Sequence, residues 1–376
     1  MRFIKHVYKI HTYAQDGRLF EGKTPVSAFL NSSYDGSFIA GLMELRYIQS
    51  LPVERIINYF ESHGFTLKKP TAHKLMEKAS SLFENLYKCI RQTALGDPYK
   101  AADETYYKIL VPEKNSKGKG VRKGYLWVVV GINTRMIYLL YDDGSRSEKV
   151  ILNELGGCKG IIQSDGYSPY RKLESDAYPH ITRIPCLQHI KRKFIDCGED
   201  EPDAKRIVEL INTLYQNEHK HKIGVDGWTV EQNLVHRKKY APDILGEIKD
   251  VLDDIEERGD LLPKSELKEA VTYLRNEWNA VVDIFNYGDT YLDNNIVERM
   301  NRYISLSRKN SLFFGSHKGA ERGAILYTIA LTCRMNKVNL FEYLTDVINR
   351  TAEWQPNTPL EKYRQLLPDR WEKAND

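Results

Sequence analysis

The stretch ETYYKILVPEKNSKGKGVRKGYLWVVVGINTRMIYLLYDD, residues 104–143, holds the strongest signal of fold class in the chain. Three runs inside it, ETYYKILV, GYLWVVVGI and MIYLLYDD, are dense in β-branched and aromatic residues. Such residues suit a pleated, half-buried surface, so the runs read as three consecutive strands. The lysine- and glycine-rich PEKNSKGKGVRKG (112–124) reads as a long hairpin loop between the first two. Beyond residue 143 the pattern alternates. SRSEKVILNELGG (145–157) predicts a helix stopped by its glycine pair, and GIIQSDGY (160–167) a short apolar strand. HITRIPC (180–186) predicts another strand and LQHIKRKFIDC (187–197) another helix. A three-strand meander followed by alternating helices and strands predicts an α/β fold, a mixed sheet covered by helices.

Toward the N-terminus, residues 1–24 read as two short strands about the turn QDGR (15–18), and residues 26–95 read as helical. FIAGLMELRYIQS has apolar residues at helical spacing, and SLPVERIINYFESHG enters through Ser-Pro and leaves at Gly64. Thr71 is the expected N-cap of a long helix through residue 92. Short helices of this kind, the last rich in lysine, resemble a helix-turn-helix unit as much as a plain bundle. Residues 199–290 read as helical throughout. YLDNNIVERMNRYISLSRKN (291–310), KGAERGAILYTIALTCRMNK (318–337) and NLFEYLTDVINRT (339–351) come next as three more helices, and the proline-containing tail is expected to pack loosely.

The chain has 376 residues, 41% hydrophobic and 28% charged, enough for several domains with real cores. No run of apolar residues is long enough for a membrane span. The N-terminus lacks the apolar stretch of a signal peptide. Five scattered cysteines fit reduced, mostly buried thiols and a cytoplasmic location. The net charge of +4 is unevenly placed. Residues 112–124 carry five bases and one acid, HIKRKF (189–194) is basic, and Arg299 to Arg350 holds nine bases against three acids. Residues 199–263 reverse this, with sixteen acids against nine bases. Basic segments of this kind suit a polyanion partner as well as an ordinary solvated surface.

Within 291–310, Glu298 stands among basic residues and amides. Asp103 lies at or just before the first strand of the sheet, and Asp165 ends the fourth. If those strands are neighbours, a helix beside them could bring Glu298 to the same pocket. Three carboxylates are what two Mg²⁺ ions need, because hard cations take oxygen ligands and paired ions stabilise both oxygens of an in-line displacement at phosphorus. Simpler roles stand beside this one. Asp103 can cap a strand, Asp165 can serve the turn before Gly166, and Glu298 can pair with Arg302 four residues on.

The segments ADET (102–105), YLWVVVG (125–131), QSDGYSPY (163–170), CLQHIKRKF (186–194) and DNNIVERMNRYISLSRKNSLFFGSHKGAERGAILYTI (293–329) together resemble the transposases of the insertion-sequence-sixty-six family of bacterial mobile elements. The resemblance covers roughly residues 26–350. It implies a DDE transposase with a ribonuclease-H-like catalytic core, whose triad would be Asp103, Asp165 and Glu298, holding two Mg²⁺ ions for which Mn²⁺ can substitute. It implies that Asn294, Asn295, Arg299, Arg302, Arg308, Lys309 and Arg322, with Lys191, Arg192 and Lys193, contact DNA or support the triad; Asn310 completes the family's RKN element. Cys186 and His189 match its Cys-x-x-His element, for which a packing or hydrogen-bonding role is expected, since two ligands do not make a structural zinc site.

The implied organisation is a ribbon remnant at 1–25, a helical DNA-binding domain at 26–98 and the first part of the core at 99–198. A helical insertion follows at 199–290, then the second part of the core at 291–350 and a tail at 351–376. The family's upstream cysteine-rich ribbon is missing its cysteines here, which suggests a lost metal or a start inside a longer gene. The implied partners are the element's terminal inverted repeats and target DNA, further copies of the chain on that DNA, and accessory proteins of the same element, in a nucleoid setting. A retired transposase that only binds DNA, and a ribonuclease-H-like nuclease, are the alternatives.

Overall fold

The computed structural model describes residues 2–22, 26–29, 32–114, 118, 120–259, 261–355 and 357–373. Strands β1 (Thr12–Gln15) and β2 (Arg18–Glu21) form an exposed hairpin. Its turn is Asp16-Gly17, both at positive φ, the pairing that matches the twist of antiparallel strands. Four helices follow: α1 (Gly36–Tyr47), α2 (Val53–Ser62), α3 (Lys69–Leu82) and α4 (Glu84–Leu95). Asp35 caps α1 by accepting from the Phe38 N–H. Thr71 is not a cap. α3 begins at Lys69 because Pro70 has no N–H to satisfy and starts a helix well, which leaves Thr71 in its first turn. The long helix expected from there is two helices, divided at Phe83.

The sheet comprises β3 (Tyr99–Leu110), β4 (Val121–Gly131), β5 (Met136–Leu140), β6 (Gly160–Ser164) and β7 (Ile181–Pro185), with β8 (Phe313–Phe314) at its margin. The order is β5-β4-β3-β6-β7, with β8 against the far end of β3. β3, β4 and β5 are antiparallel, whereas β6 and β7 run parallel to β3. The mixed sheet flanked by helices is the α/β arrangement that the strand pattern predicts. β4 already begins at Val121, so VRKG belongs to the strand and not to the hairpin loop. Residues 115–117 and 119 of that loop lie outside the described residues. β3 starts four residues before Asp103, which therefore sits inside the strand, opposite Val128, and not at its start. The small residues Ala101 and Ala102, both fully buried, let the central strand run between two neighbours there.

Helices α5 (Glu148–Leu155) and α6 (Ser168–Arg171), the latter with a 3₁₀ turn at Lys172–Glu174, lead into the parallel strands β6 and β7, and α7 (Leu187–Ile195) follows β7. An insertion of three helices, α8 (Pro202–Glu218), α9 (Val230–Arg258) and α10 (Glu266–Ile284), has its own core. Leu210, Leu214, Ile248, Leu252, Val271 and Leu274 meet there, joined by Leu187, Ile190 and Phe194 of α7. α11 (Asn295–Asn310) then returns the chain to the sheet, followed by α12 (His317–Met335), α13 (Leu340–Thr351) and α14 (Leu360–Gln365).

α12 covers the edge strand. The hydroxyls of Thr328 and Thr332 accept from the Leu139 and Ile137 N–H groups, which satisfies an edge that would otherwise invite pairing. The N-terminal helices and the sheet share one hydrophobic core, with Ile39, Leu42, Phe83 and Ile90 in the same cluster as Trp127, Ile137 and Leu331. The tail does not pack loosely: Tyr363, Leu366 and Leu367 are buried, and the Trp371 ring meets Tyr343 edge-on. Among the described residues no helix is long and apolar enough to cross a membrane.

Candidate active site

Side chains alternate along a strand, so β3 offers its odd residues to one face and its even residues to the other. On the odd face, Asp103, Thr105 and Tyr107 meet α11 and the residue after it. Asn301 Nδ2 donates to Asp103 Oδ2 at 2.6 Å, Arg308 reaches Thr105 Oγ1, and the Tyr107 hydroxyl donates to the Ser311 carbonyl. On the even face, Glu104 is held by Arg146 at 2.5 Å and by the Tyr170 hydroxyl at 3.3 Å. The Glu104 N–H donates to Asp103 Oδ1 at 2.8 Å. β6 lies beside β3 in parallel, so Asp165, the first residue after β6, emerges next to the same point. Burial first, and then the charges of Glu104 and Asp165, push the Asp103 carboxyl up to about 8.

The turn carrying Asp165 is braced from two sides. Arg183 of β7 donates to the Asp165 carbonyl at 2.8 Å and to Ser164 Oγ at 3.1 Å. The same guanidinium is fully buried and pairs with Glu277 of α10 and with Glu174, each at 2.5 Å. Tyr273 of α10 accepts the Gly166 N–H at 2.8 Å. A Cβ at position 166 would lie 2.5 Å from that hydroxyl oxygen, so only glycine fits against Tyr273.

α11 presents three faces. Asn294, Glu298 and Asn301, spaced four and three residues apart, look toward β3 and α7. Asn294 is buried, and its amide donates to the Ala102 carbonyl at 3.3 Å. The Asp293 carboxylate accepts the Asn295 N–H at the helix start. Val297, Ile304 and Ser307 face the interior. Arg299, Arg302, Leu306 and Lys309 form an exposed stripe with helical spacing. Glu298 does not pair with Arg302. Its nearest basic group is the His189 ring, with Nδ1 3.7 Å from Oε1. The N-terminus of α7 lies directly beside that of α11: the Leu187 N–H donates to the Leu292 carbonyl, and the Asn294 N–H to Cys186 Sγ at 3.4 Å. Burial pushes the Cys186 thiol up to about 12. Glu298 Oε1, His189 Nδ1, Asn294 Oδ1 and Asn301 Oδ1 are buried without a hydrogen-bond partner.

The other residues singled out in the sequence divide into two groups. Arg192 and Lys193 are exposed on α7, and Lys191 is half-buried. Arg299, Arg302 and Lys309 are free to reach a polyanion. Arg308 and Asn294 are instead engaged within the fold. Arg308 stacks 3.9 Å from the centre of the Tyr106 ring and donates to the Tyr106 carbonyl, so it ties α11 to β3. The burial of Asn294 gives it the same supporting role. Arg322 pairs with Glu77 of α3 at 3.2 Å, and Asn310 donates to the Ser50 carbonyl at 3.1 Å. Sequence reading missed Arg183, Tyr273 and Glu277, which carry no local pattern. It also missed Asn301, whose spacing of three from Glu298 is a signal that could have found it.

Chemically, the set is a half-buried Asp103, whose charge is unfavourable without a counter-ion, with Glu104 and Asp165 as charged neighbours; one Glu298 oxygen is unpartnered beside the His189 ring. That set suits a hard divalent cation, and the exposed basic stripe suits a phosphodiester backbone beside it.

Comparison with known proteins gives the family. Uncharacterized protein y4jD of Sinorhizobium fredii (strain NBRC 101917 / NGR234) is 25% identical over 88% of this chain, and uncharacterized protein y4hP of the same strain is 25% identical over 86%. A third protein of that strain, uncharacterized protein y4qI, is 29% identical over 69% of the chain. The chain spans 65%, 60% and 49% of the lengths of these three relatives. The family described as Transposase IS66 family matches residues 31–322, which contain Asp103, Asp165 and Glu298, and the chain belongs to that family.

Proposed function

We propose that the chain is a DDE-type DNA transposase of a bacterial insertion sequence, with Asp103, Asp165 and Glu298 as its catalytic carboxylates. The observation that carries this reading is the convergence of three distant segments. β3 and β6 are neighbours, and α11 lies on β3 with Asn301 bonded to Asp103 and Glu298 one turn earlier. Three antiparallel strands with two parallel ones added beside the first support a ribonuclease-H-like core.

The three carboxylates would hold two Mg²⁺ ions, which supply charge stabilisation for the attacking and leaving oxygens of an in-line displacement. The chain's own residues set the geometry. Asn301 and the Glu104 N–H fix the Asp103 carboxylate, Arg183 and Tyr273 fix the Asp165 turn, and Arg308 fixes α11 against β3. Arg299, Arg302 and Lys309, with Arg192 and Lys193 across the site, hold the DNA backbone. The first reaction hydrolyses a phosphodiester at the element end. In the second, the freed 3′-hydroxyl attacks target DNA and displaces a 3′-oxygen there. The helices at 26–98 contribute to binding the terminal repeats, and joining two ends calls for at least two copies on DNA.

The test is strand transfer by the full chain, with a labelled duplex carrying the native element end, a supercoiled target and Mg²⁺, and Glu298→Gln alongside. The expected result is joined product from the wild type and a loss of at least about 100-fold in the variant, since even groups supporting a metal ligand are worth 10–100-fold. End-specific binding without cleavage or joining would point to the retired DNA-binding protein, and cleavage without joining to a nuclease.

A further inference from the structure

We propose that Cys186, His189 and Glu298 form a transition-metal site, suited to Zn²⁺, that shares Glu298 with the catalytic carboxylates and switches them off when filled. Cys186 Sγ, a ring nitrogen of His189 and a carboxylate oxygen of Glu298 all lie within 4.8 Å of one another. A thiolate, an imidazole and a carboxylate are the ligand types that borderline-soft Zn²⁺ selects, whereas Mg²⁺ avoids sulfur.

Ordinary zinc–ligand lengths put tetrahedral ligand atoms roughly 3.3–3.6 Å apart. His189 Nδ1 and Glu298 Oε1, at 3.7 Å, are within about 0.4 Å of it. Sγ must close by at most about 1.2 Å to meet the same geometry. The ring nitrogen and the carboxylate oxygen are buried and make no hydrogen bond, so a metal would displace no partner from either. Cys186 is the N-cap of α7 and His189 its third residue, which puts both side chains on the flank facing α11. Binding breaks the S–H bond of Cys186, forms a metal–sulfur bond and sends the proton to solvent. Three protein ligands leave the fourth position to water, so the site can empty again.

The switching part rests on the proposed role of Glu298 in catalysis; the binding part does not. A Glu298 oxygen held by zinc between Cys186 and His189 is not available to a cation at Asp103 and Asp165.

The experiment titrates the full chain with Co²⁺, which adopts zinc-like sites and reports a thiolate ligand through a charge-transfer absorption. The expected result is one thiolate-bound Co²⁺ per chain, displaced by Zn²⁺. The band should vanish in Cys186→Ser, and His189→Gln should bind Co²⁺ at least tenfold more weakly. Cys186 is buried, so thermal melts accompany its variant, and the half-exposed His189 gives a second variant if the first does not fold. A band that survives Cys186→Ser, or no band at all, overturns the site. In the strand-transfer assay with Mg²⁺, Zn²⁺ should inhibit the wild type, and His189→Gln should need at least tenfold more for the same inhibition relative to its own zinc-free rate. Equal sensitivity overturns the switch while leaving the site. If no strand transfer occurs at all, the cobalt spectrum still decides the site, so failure of the transposase reading stays separate.

Discussion

Asp103→Asn should make the metal-free protein more stable, and increasingly so as pH rises. The folded-state carboxyl is raised from the ordinary 3.8 to about 8 by burial and by the charges of Glu104 and Asp165. An acid raised on folding must hold a proton in the folded chain that the unfolded chain has released. Stability is therefore unaffected below about pH 4 and falls as pH rises from there to about 8. At 1.36 kcal/mol per unit, the penalty is roughly 1.7 kcal/mol at pH 5 and roughly 4 kcal/mol at pH 7. An amide needs no proton, so the variant escapes the penalty. It also fits, because Asn301 Oδ1 is free to accept from the new amide once the Asn301 side chain turns over, and the remaining oxygen keeps the Glu104 N–H. With an unfolding entropy near 2.1 cal/mol/K per residue over 376 residues, 1 kcal/mol corresponds to about 1.3 °C if the chain melts as one unit. Scanning calorimetry in EDTA should then show the variant about 2 °C above wild type at pH 5 and about 5 °C above it at pH 7. Mg²⁺ should raise the melting temperature of the wild type and not that of the variant. A variant that melts at or below wild type at pH 7, or a gap that does not widen with pH, would refute the idea that Asp103 is a frustrated acid awaiting a cation.

The supports of the site lead to three more expected outcomes. Tyr273→Phe removes the acceptor of the Gly166 N–H, leaving a buried donor unmade at about 1–3 kcal/mol; strand-transfer rates should fall about tenfold, the equivalent of 1.4 kcal/mol, with DNA affinity unchanged, and an unchanged rate would mean that the Asp165 turn holds itself. Glu277→Ala strips one partner from the buried Arg183, which should destabilise by about 3–5 kcal/mol; a melting temperature lowered by less than 1 °C, roughly 1 kcal/mol on the same scale, would show that Glu174 alone suffices. Replacing Arg299, Arg302 and Lys309 together by alanine should flatten the salt dependence of DNA binding by about 0.9 in logarithmic slope for each phosphate that is no longer neutralised; the Arg308→Ala variant, whose guanidinium is spent on Tyr106, should lose melting temperature in preference to slope.

The sheet was legible because its strands declare themselves locally. ETYYKILV, GYLWVVVGI and MIYLLYDD are too rich in β-branched and aromatic residues for another reading, and glycines punctuate the helices and strands after them. The errors fall where local signals compete with tertiary ones. Thr71 looks like a cap, but Pro70 starts the helix earlier. YKAAD looks too small and polar to open a strand, yet Ala101 and Ala102 are small because the strand is squeezed between two neighbours. The tail looks loose because prolines flank its buried residues, Tyr363, Leu366 and Leu367. Glu298 could be singled out as an acid in a basic helix. Arg308 could not be told from the exposed stripe of bases on the same helix, because what fixes it is Tyr106, 202 residues away in the chain.

The insertion takes on a different standing once these supports are traced. Its sequence is acidic and helical, with nothing to mark it as part of a catalytic unit, and it separates Asp165 from Glu298 by more than a hundred residues. Yet Tyr273 and Glu277 sit one turn apart on α10, and both reach back to the Asp165 turn, one directly and one through Arg183. At its other end α8 sends the Tyr215 hydroxyl to Asp293, whose second oxygen accepts the Asn295 N–H at the start of the Glu298 helix. Two of the three proposed carboxylates thus sit on a turn and a helix start that the segment inserted between them braces. A chain that merely carried an extra domain would need neither contact. A chain whose site closes only when the insertion is packed uses both, because each adds to what the sheet supplies through Arg183 at the turn and Ala102 at the helix start.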